Sequence, residues 1–205
     1  MPGRFFLTTP VPQVAAVLGA PPGDLTDEPA RLNIAPGQQI VTFGPDGPSH
    51  MRWGIIPVGR VNARGRPVME TLINARSETV FDKSAYEGTG RAVVPANGWY
   101  EWTGEKRHKT AWRITPKDGG LLWFAAITDV WQGPGGVRVP QVATVTCPPS
   151  ADVVDIHHRM GVFLAPTDVP LWLEGEVEAV KPLMRPWPDG SLQVEEARGV
   201  DWEGA

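Results

Sequence analysis

A single cysteine, Cys147, stands among 205 residues, so no disulfide can form within the chain. That usage suits a reducing compartment, and a cytoplasmic location is expected. No apolar run approaches the roughly 18 residues that a membrane span needs. The amino terminus also lacks the apolar segment of a signal peptide. There is no HExxH or CxxC pattern, and the adjacent pair His157-His158 cannot chelate one ion from a regular helix or strand. No metal site and no cofactor are therefore expected. A net charge of −4 argues against a strongly basic nucleic-acid binder. Long helical periodicity is scarce as well.

What is present reads as one globular domain. The hydrophobic fraction of 41% and the charged fraction of 20% are ordinary for a chain long enough to bury a core. Glycine and proline punctuate short apolar runs at 39–44, 51–56, 91–95, 98–102, 111–115, 121–128 and 141–147. Runs of this length, rich in β-branched and aromatic residues, are strands. Val11, Val14, Ala15, Val17 and Leu18 give one short amphipathic helix over 11–19, ending at Gly19. Further helical turns are expected near 77–86, 150–155 and 167–174. The fold class is α+β: a single compact domain with a twisted, barrel-like, mainly antiparallel β core and short flanking helices. The domain spans 1–195, with an acidic C-terminal tail over 196–205. Gln193-Val194 can pair as an edge strand, and the chain after Glu195 is expected to be poorly ordered.

The charge is unevenly placed. The window 52–76 holds Arg52, Arg60, Arg64, Arg66 and Arg76 against Glu70 alone, whereas 111–205 is acidic. Screening confines distant charges to about 10 Å, so a local arginine cluster can hold phosphates on an acidic protein. A solvated surface would give a similar count.

Polar groups stand where packing alone would not require them. In Met1-Pro2-Gly3-Arg4-Phe5, removal of Met1 would expose the secondary amine of Pro2, which can attack an aldehyde to give an iminium. Gly3 permits close backbone approach, Arg4 supplies a cation and Phe5 an anchor; the plain alternative is an ordinary start with a rigid proline. In 73–79, Asn74 offers a donor and an acceptor and Arg76 a planar fork for phosphate, while Ser77 or Thr79 could equally cap a helix. Glu101 lies between Tyr100 and Trp102. Buried there its pKa would rise and suit proton transfer; on the outer side of a strand it would be a solvated carboxylate. His157 is either an acid–base group or a satisfied core histidine. Nothing beside Cys147 lowers a thiol pKa, so it reads as structural.

Taken in order, these segments resemble the SRAP family (SOS-response-associated peptidase domain proteins), which shield abasic sites in single-stranded DNA. The motifs are Met1-x-Gly3-Arg4-Phe5, the run Arg31 to Pro36, Arg52-Trp53-Gly54-Ile55-Ile56-Pro57, the run Ile73 to Thr79, Gly98-Trp99-Tyr100-Glu101-Trp102 and Ile156-His157-x-Arg159-Met160. The resemblance covers about 1–195. It implies that Asn74 positions the amino terminus or the sugar, that Glu101 handles protons and that His157 acts at the sugar hydroxyl. It also implies that Arg4, Arg76 and Arg159 hold phosphates, with Arg52 of the arginine cluster beside them. The partner implied is single-stranded DNA containing an abasic site, with no membrane and a monomeric state favoured.

The departures carry as much meaning. The family's amino-terminal cysteine is Pro2 here, so amine and thiol cannot close a thiazolidine. Residues 58–60 lack the tryptophans that some members carry. His158 replaces an aspartate, Gly161 a proline and Asn97 an aspartate. The leading reading is a divergent abasic-site processor in which Pro2 forms an iminium and Glu101 or His157 drives β-elimination. A non-catalytic DNA-binding module comes second, and a peptidase limited to self-processing at Met1 third.

Overall fold

The computed structural model describes residues 2–57, 71–83, 86, 88–105 and 108–203. Arg60, Arg64 and Arg66 and the stretch 58–60 lie outside the described residues. Strand β1 (Arg4–Leu7) leads directly into helix α1 (Val11–Val17), which starts at Pro10-Val11-Pro12 and buries Val11, Val14 and Ala15. The i, i+3, i+4 spacing of those three residues is what turns that face inward. Beyond a loop, β2 (Arg31–Ile34) precedes a hairpin of β3 (Gln39–Gly44) and β4 (Gly47–Trp53), closed by Pro45-Asp46.

Strands β5 (Asn74–Arg76), β6 (Gly90–Ala96), β7 (Gly98–Thr103), β8 (Thr110–Pro116), β9 (Leu122–Gln132) and β10 (Arg138–Cys147) follow. Two-residue strands β11 (Met160–Gly161) and β12 (Phe163–Leu164), short helices α2 (Val169–Glu174) and α3 (Val177–Val180), and β13 (Leu192–Glu196) complete the chain.

Two sheets are built from these strands. In the larger, β10 pairs with β4, β4 with β3, β3 with β6, β6 with β9, and β9 back with β10, which closes a five-stranded ring. Closure removes the exposed edges of those strands. The β4–β10 pairing is parallel, with Arg52 opposite Gln141. The chain then leaves β10, pinches together through the Ile55–Leu72 bridge and returns as β5, again parallel to β10 with Asn74 opposite Thr144. Strand β5 thus takes over the edge that β4 vacates. The smaller sheet is antiparallel, in the order β13–β8–β7–β1–β2.

Trp53, Trp99, Trp123 and Trp172 are all fully buried between or beside these sheets. Phe5 links the two, meeting Trp53 edge-on at 5.0 Å. Among the described residues no helix is long and apolar enough to cross a membrane.

Several local expectations change. The strand expected at 51–56 begins earlier and ends at Trp53, because Gly54 turns the chain at φ +126. In the segment expected to be helical near 77–86, residues 77–82 are turns, Tyr86 is in a 3-10 conformation and residues 84 and 85 lie outside the described residues; residues 151–156 form hydrogen-bonded turns rather than a helix. In the second case Ser150 N–H bonds the Met160 sulfur, and Ala151 and Leu192 N–H groups are taken by Asp189 and Asp152, so the segment is tied to its neighbours instead of propagating. The described part of the chain after Glu195, residues 196–203, is docked: Trp202 packs on Tyr100 and Trp102. An acidic, glycine-containing composition did not reveal that one aromatic anchor and two backbone carbonyls suffice to hold it.

Candidate active site at the amino terminus

The register of β1 on β7 places the start of the chain. Arg4 lies opposite Tyr100 and Phe5 opposite Trp99. Continuing that antiparallel register sets Gly3 opposite Glu101. Pro2 is buried, and its carbonyl accepts a hydrogen bond from Asn74 Nδ2 at 2.9 Å. The Asn74 amide cannot rotate freely, because Thr144 Oγ1 donates to its Oδ1 at 2.5 Å. One hydroxyl on β10 therefore fixes which end of an amide on β5 faces the amino terminus.

Glu101 is 3% exposed. Burial pushes its carboxyl above the ordinary value, while the charge of the chain's terminal amine pulls in the opposite direction. His157 lies in the loop just before β11. Its pKa is lowered to about 4, first by burial, then by the terminal amine and by His158. The ring stacks on His158 at 4.3 Å, and the Arg159 backbone N–H donates to Nδ1 at 3.0 Å. At neutral pH the imidazole is uncharged. A buried carboxyl and a neutral imidazole are thus both shifted by the charge of the Met1 amine.

The four arginines divide. Arg76 sits two residues past Asn74 on β5, on the same side of the strand, and its side chain is exposed. Arg159 is 8% exposed, and its guanidinium bonds both Glu78 carboxylate oxygens and the Thr146 carbonyl. This pair holds Glu78 at about 2, well below the usual carboxylate range, chiefly through the Arg159 hydrogen bonds. Arg52 spans from β4 to the Gly54 carbonyl at 2.9 Å. Arg4 donates to Asn33 Oδ1 at 2.7 Å and, by strand alternation, points to the face opposite Glu101.

Asn74 therefore meets Pro2, and the strand register sets Glu101 opposite Gly3, whereas Arg4 and Arg159 are engaged in bracing contacts. Thr144 and Thr146 went unnoticed in the sequence. The available signal was their period-two placement in an otherwise apolar strand, Gln141 to Cys147.

The substituted positions have local causes. The Asn97 side chain accepts from the Thr8 and Thr9 backbone N–H groups and donates to Thr9 Oγ1, which fastens the end of β1. At Gly161 a Cβ would lie 2.4 Å from the Phe124 ring, which leaves no room for a proline. Cys147 is fully buried and its thiol is pushed up to about 12 by desolvation, so it is inert.

The architecture defines an α+β protein whose folded amino terminus is drawn into a polar site made by both of its sheets. The chain belongs to the SRAP family, described as SOS response associated peptidase, whose sequence model matches residues 1–199. It is 33% identical over 149 residues to the abasic site processing protein YobE of Bacillus subtilis, covering 69% of this chain and 67% of that one. Against the abasic site processing protein YedK of Escherichia coli it is 30% identical over 155 residues, covering 72% and 66%. Against the mouse abasic site processing protein HMCES it is 30% identical over 166 residues, covering 64% and 47%. The match thus spans about two thirds of the bacterial relatives and about half of the mouse one.

Among solved structures, a Bacteroides thetaiotaomicron protein superposes with a TM-score of 0.82 at 21% identity, covering 96% of this chain and 92% of the other. A phage-related protein of Bordetella bronchiseptica superposes with a TM-score of 0.73 at 26% identity, covering 96% and 94%.

Proposed function

We propose that this protein acts on abasic sites in single-stranded DNA through the amine of Pro2, once Met1 has been removed. The observation that carries the reading is the grip of Asn74 on the Pro2 carbonyl, with Glu101 and His157 both shifted by the charge of the amine of Met1, the residue just before Pro2. The names of the relatives support an abasic site as the substrate.

An α-amine near pKa 8 is about 10% neutral at pH 7, enough to react once the sugar is bound. The Pro2 nitrogen adds to C1′ of the ring-opened sugar, and the carbinolamine loses water as Glu101 in its acid form protonates the leaving hydroxyl. A secondary amine gives an iminium that carries a fixed positive charge. That charge acidifies C2′–H. The Glu101 carboxylate or neutral His157 takes the proton, and electrons flow to expel the 3′ phosphate. Hydrolysis of the conjugated iminium then releases the aldehyde and restores the amine. With no thiol beside the amine, no thiazolidine closes and the covalent state is transient. The exposed guanidinium of Arg76, two residues beyond Asn74 on β5, would hold a flanking phosphate.

The test pairs an intact mass, to show that Pro2 is terminal, with a denaturing gel of protein and a single-stranded abasic oligonucleotide. The expected result is a protein–DNA band only with borohydride and cleaved strand without it. Acetylation of the terminal amine should abolish both, and cleavage by the blocked protein would sink the mechanism. Steeply salt-dependent binding with neither band nor cleavage would instead support a non-covalent DNA-binding role.

A further inference from the structure

The outer face of the smaller sheet carries a contact that the chemistry above does not use. Along β1 and β7 side chains alternate, so Phe5, Trp99 and Glu101 look to one side and Arg4, Tyr100 and Trp102 to the other. Against that second side lies Trp202. Its ring meets Tyr100 edge-on at 4.9 Å and Trp102 at 5.3 Å. Asn33 on β2 donates Nδ2 to the Asp201 carbonyl at 2.7 Å, and its Oδ1 accepts from Arg4 Nη1. The same Arg4 nitrogen reaches the Trp202 carbonyl at 3.4 Å. The C-terminal segment therefore straps three strands, β2, β1 and β7, together beside the point where the chain begins.

Strand β1 lies between β7 and β2, but its pairings begin at Arg4 against β7 and at Phe5 against β2, and a chain end beyond its pairings frays. On the inner side Pro2 is held by Asn74; on the outer side the brace is the tail. We infer that Trp202 and Arg4 are positioning residues: the tail clamps β1 in register so that Pro2 stays on Asn74 and Gly3 stays opposite Glu101. Arg4 accordingly serves the amino terminus from the far face of the sheet rather than meeting substrate. A nucleophile displaced by about an ångström can lose a large part of its rate, on the order of a hundredfold, while the rest of the site still binds. The clamp thus affects reactivity far more than affinity.

The rate arm of the test rests on Pro2 being the nucleophile; the labelling arm does not. The variants are Trp202→Ala and Trp202→Phe, with a chain ending at Arg198 as the substitute should Trp202→Ala fail to fold. The terminal amine is acylated with a succinimidyl ester and read by mass spectrometry of the N-terminal peptide. Borohydride trapping is read at saturating abasic oligonucleotide, and the Kd of that oligonucleotide is measured separately.

Loss of the ring should speed terminal acylation by about fivefold. Trapping should slow on the order of tenfold, with the Kd essentially unchanged and Trp202→Phe close to the parent. Unchanged acylation in a folded Trp202→Ala chain overturns the clamp. So does faster trapping, which would make the tail an obstruction to DNA. Should the parent chain trap nothing, the acylation result still decides the clamp, and the reading of Pro2 alone fails.

Discussion

At the scale of single residues, the Asn74 amide is held from both ends, and the orientation of its Nδ2 toward Pro2 depends on a hydroxyl 70 positions away. Thr144→Val keeps the shape and removes the donor. It should cost about 1–3 kcal/mol in urea unfolding, since Asn74 Oδ1 is left without its partner. Trapping should fall while oligonucleotide affinity holds, and Thr144→Ser should restore it. Glu101 gives a prediction with a defined sign. Its folded-state pKa is raised by burial, so its stability contribution is fully present below the ordinary value of 4.5 and is lost as pH rises through the folded value. Glu101→Gln should therefore raise Tm at pH 7 and lose that advantage below about pH 4.5, while abolishing strand cleavage. Thermal scans across that range check it; a variant no more stable than the parent at pH 7 would contradict the assignment.

At the scale of elements, the decisive feature is the handover from β4 to β5 along β10. Strand β4 ends at Trp53, whose indole Nε1 donates to the Ile73 carbonyl at 3.1 Å, so the departing and returning chains are tied. Gly54 makes the turn at φ +126, and a Cβ there would lie 2.0 Å from Thr71 Cγ2. Both the backbone conformation and the space require glycine. Gly54→Ala should destabilise by about 3 kcal/mol in urea unfolding. It should also slow trapping, because the displaced neck carries Asn74 with it. An unchanged midpoint would show that the neck is not under this constraint.

At the scale of the whole molecule, ionisable groups in different elements combine in the acid response. His157 has its folded pKa lowered to about 4 from 6.5, so the unfolded chain takes up that proton first and stability falls as pH drops from 6.5 toward 4. Glu78, held at about 2 by Arg159 against an ordinary 4.5, contributes stability above 4.5 that is lost as pH falls toward 2. Glu101 works the other way over its own range and blunts the loss. Thermal unfolding should weaken in two steps, the first removed by His157→Asn and the second by Glu78→Gln, each without effect on the other. A His157→Asn chain whose stability follows the same course as the parent's between pH 6.5 and 4 would overturn the His157 environment.

The local elements were legible because their cause is local. Runs such as Gln39–Gly44 and Leu122–Gln132 announce strands by β-branched and aromatic residues bounded by glycine and proline. Asn74, Glu101 and His157 stood out as polar groups that packing alone would not require, and the family motifs could be read in order. Which strands meet was not legible, because parallel pairing of β5 with β10 joins segments about 70 residues apart and no periodicity encodes it. The tail was misjudged for the same reason: Trp202 is an isolated aromatic until Tyr100 and Trp102 are placed beneath it.

The sequence by itself determined the class of fold, the family and the chemical types available at the amino terminus, since these depend on composition, short-range pattern and motif. Only the tertiary structure decided that Arg159 is committed to Glu78, that Arg4 faces away from Glu101 and that Thr144 orients Asn74. Burial, hydrogen-bond partners and the side of a sheet on which a residue points are properties of distant segments brought together.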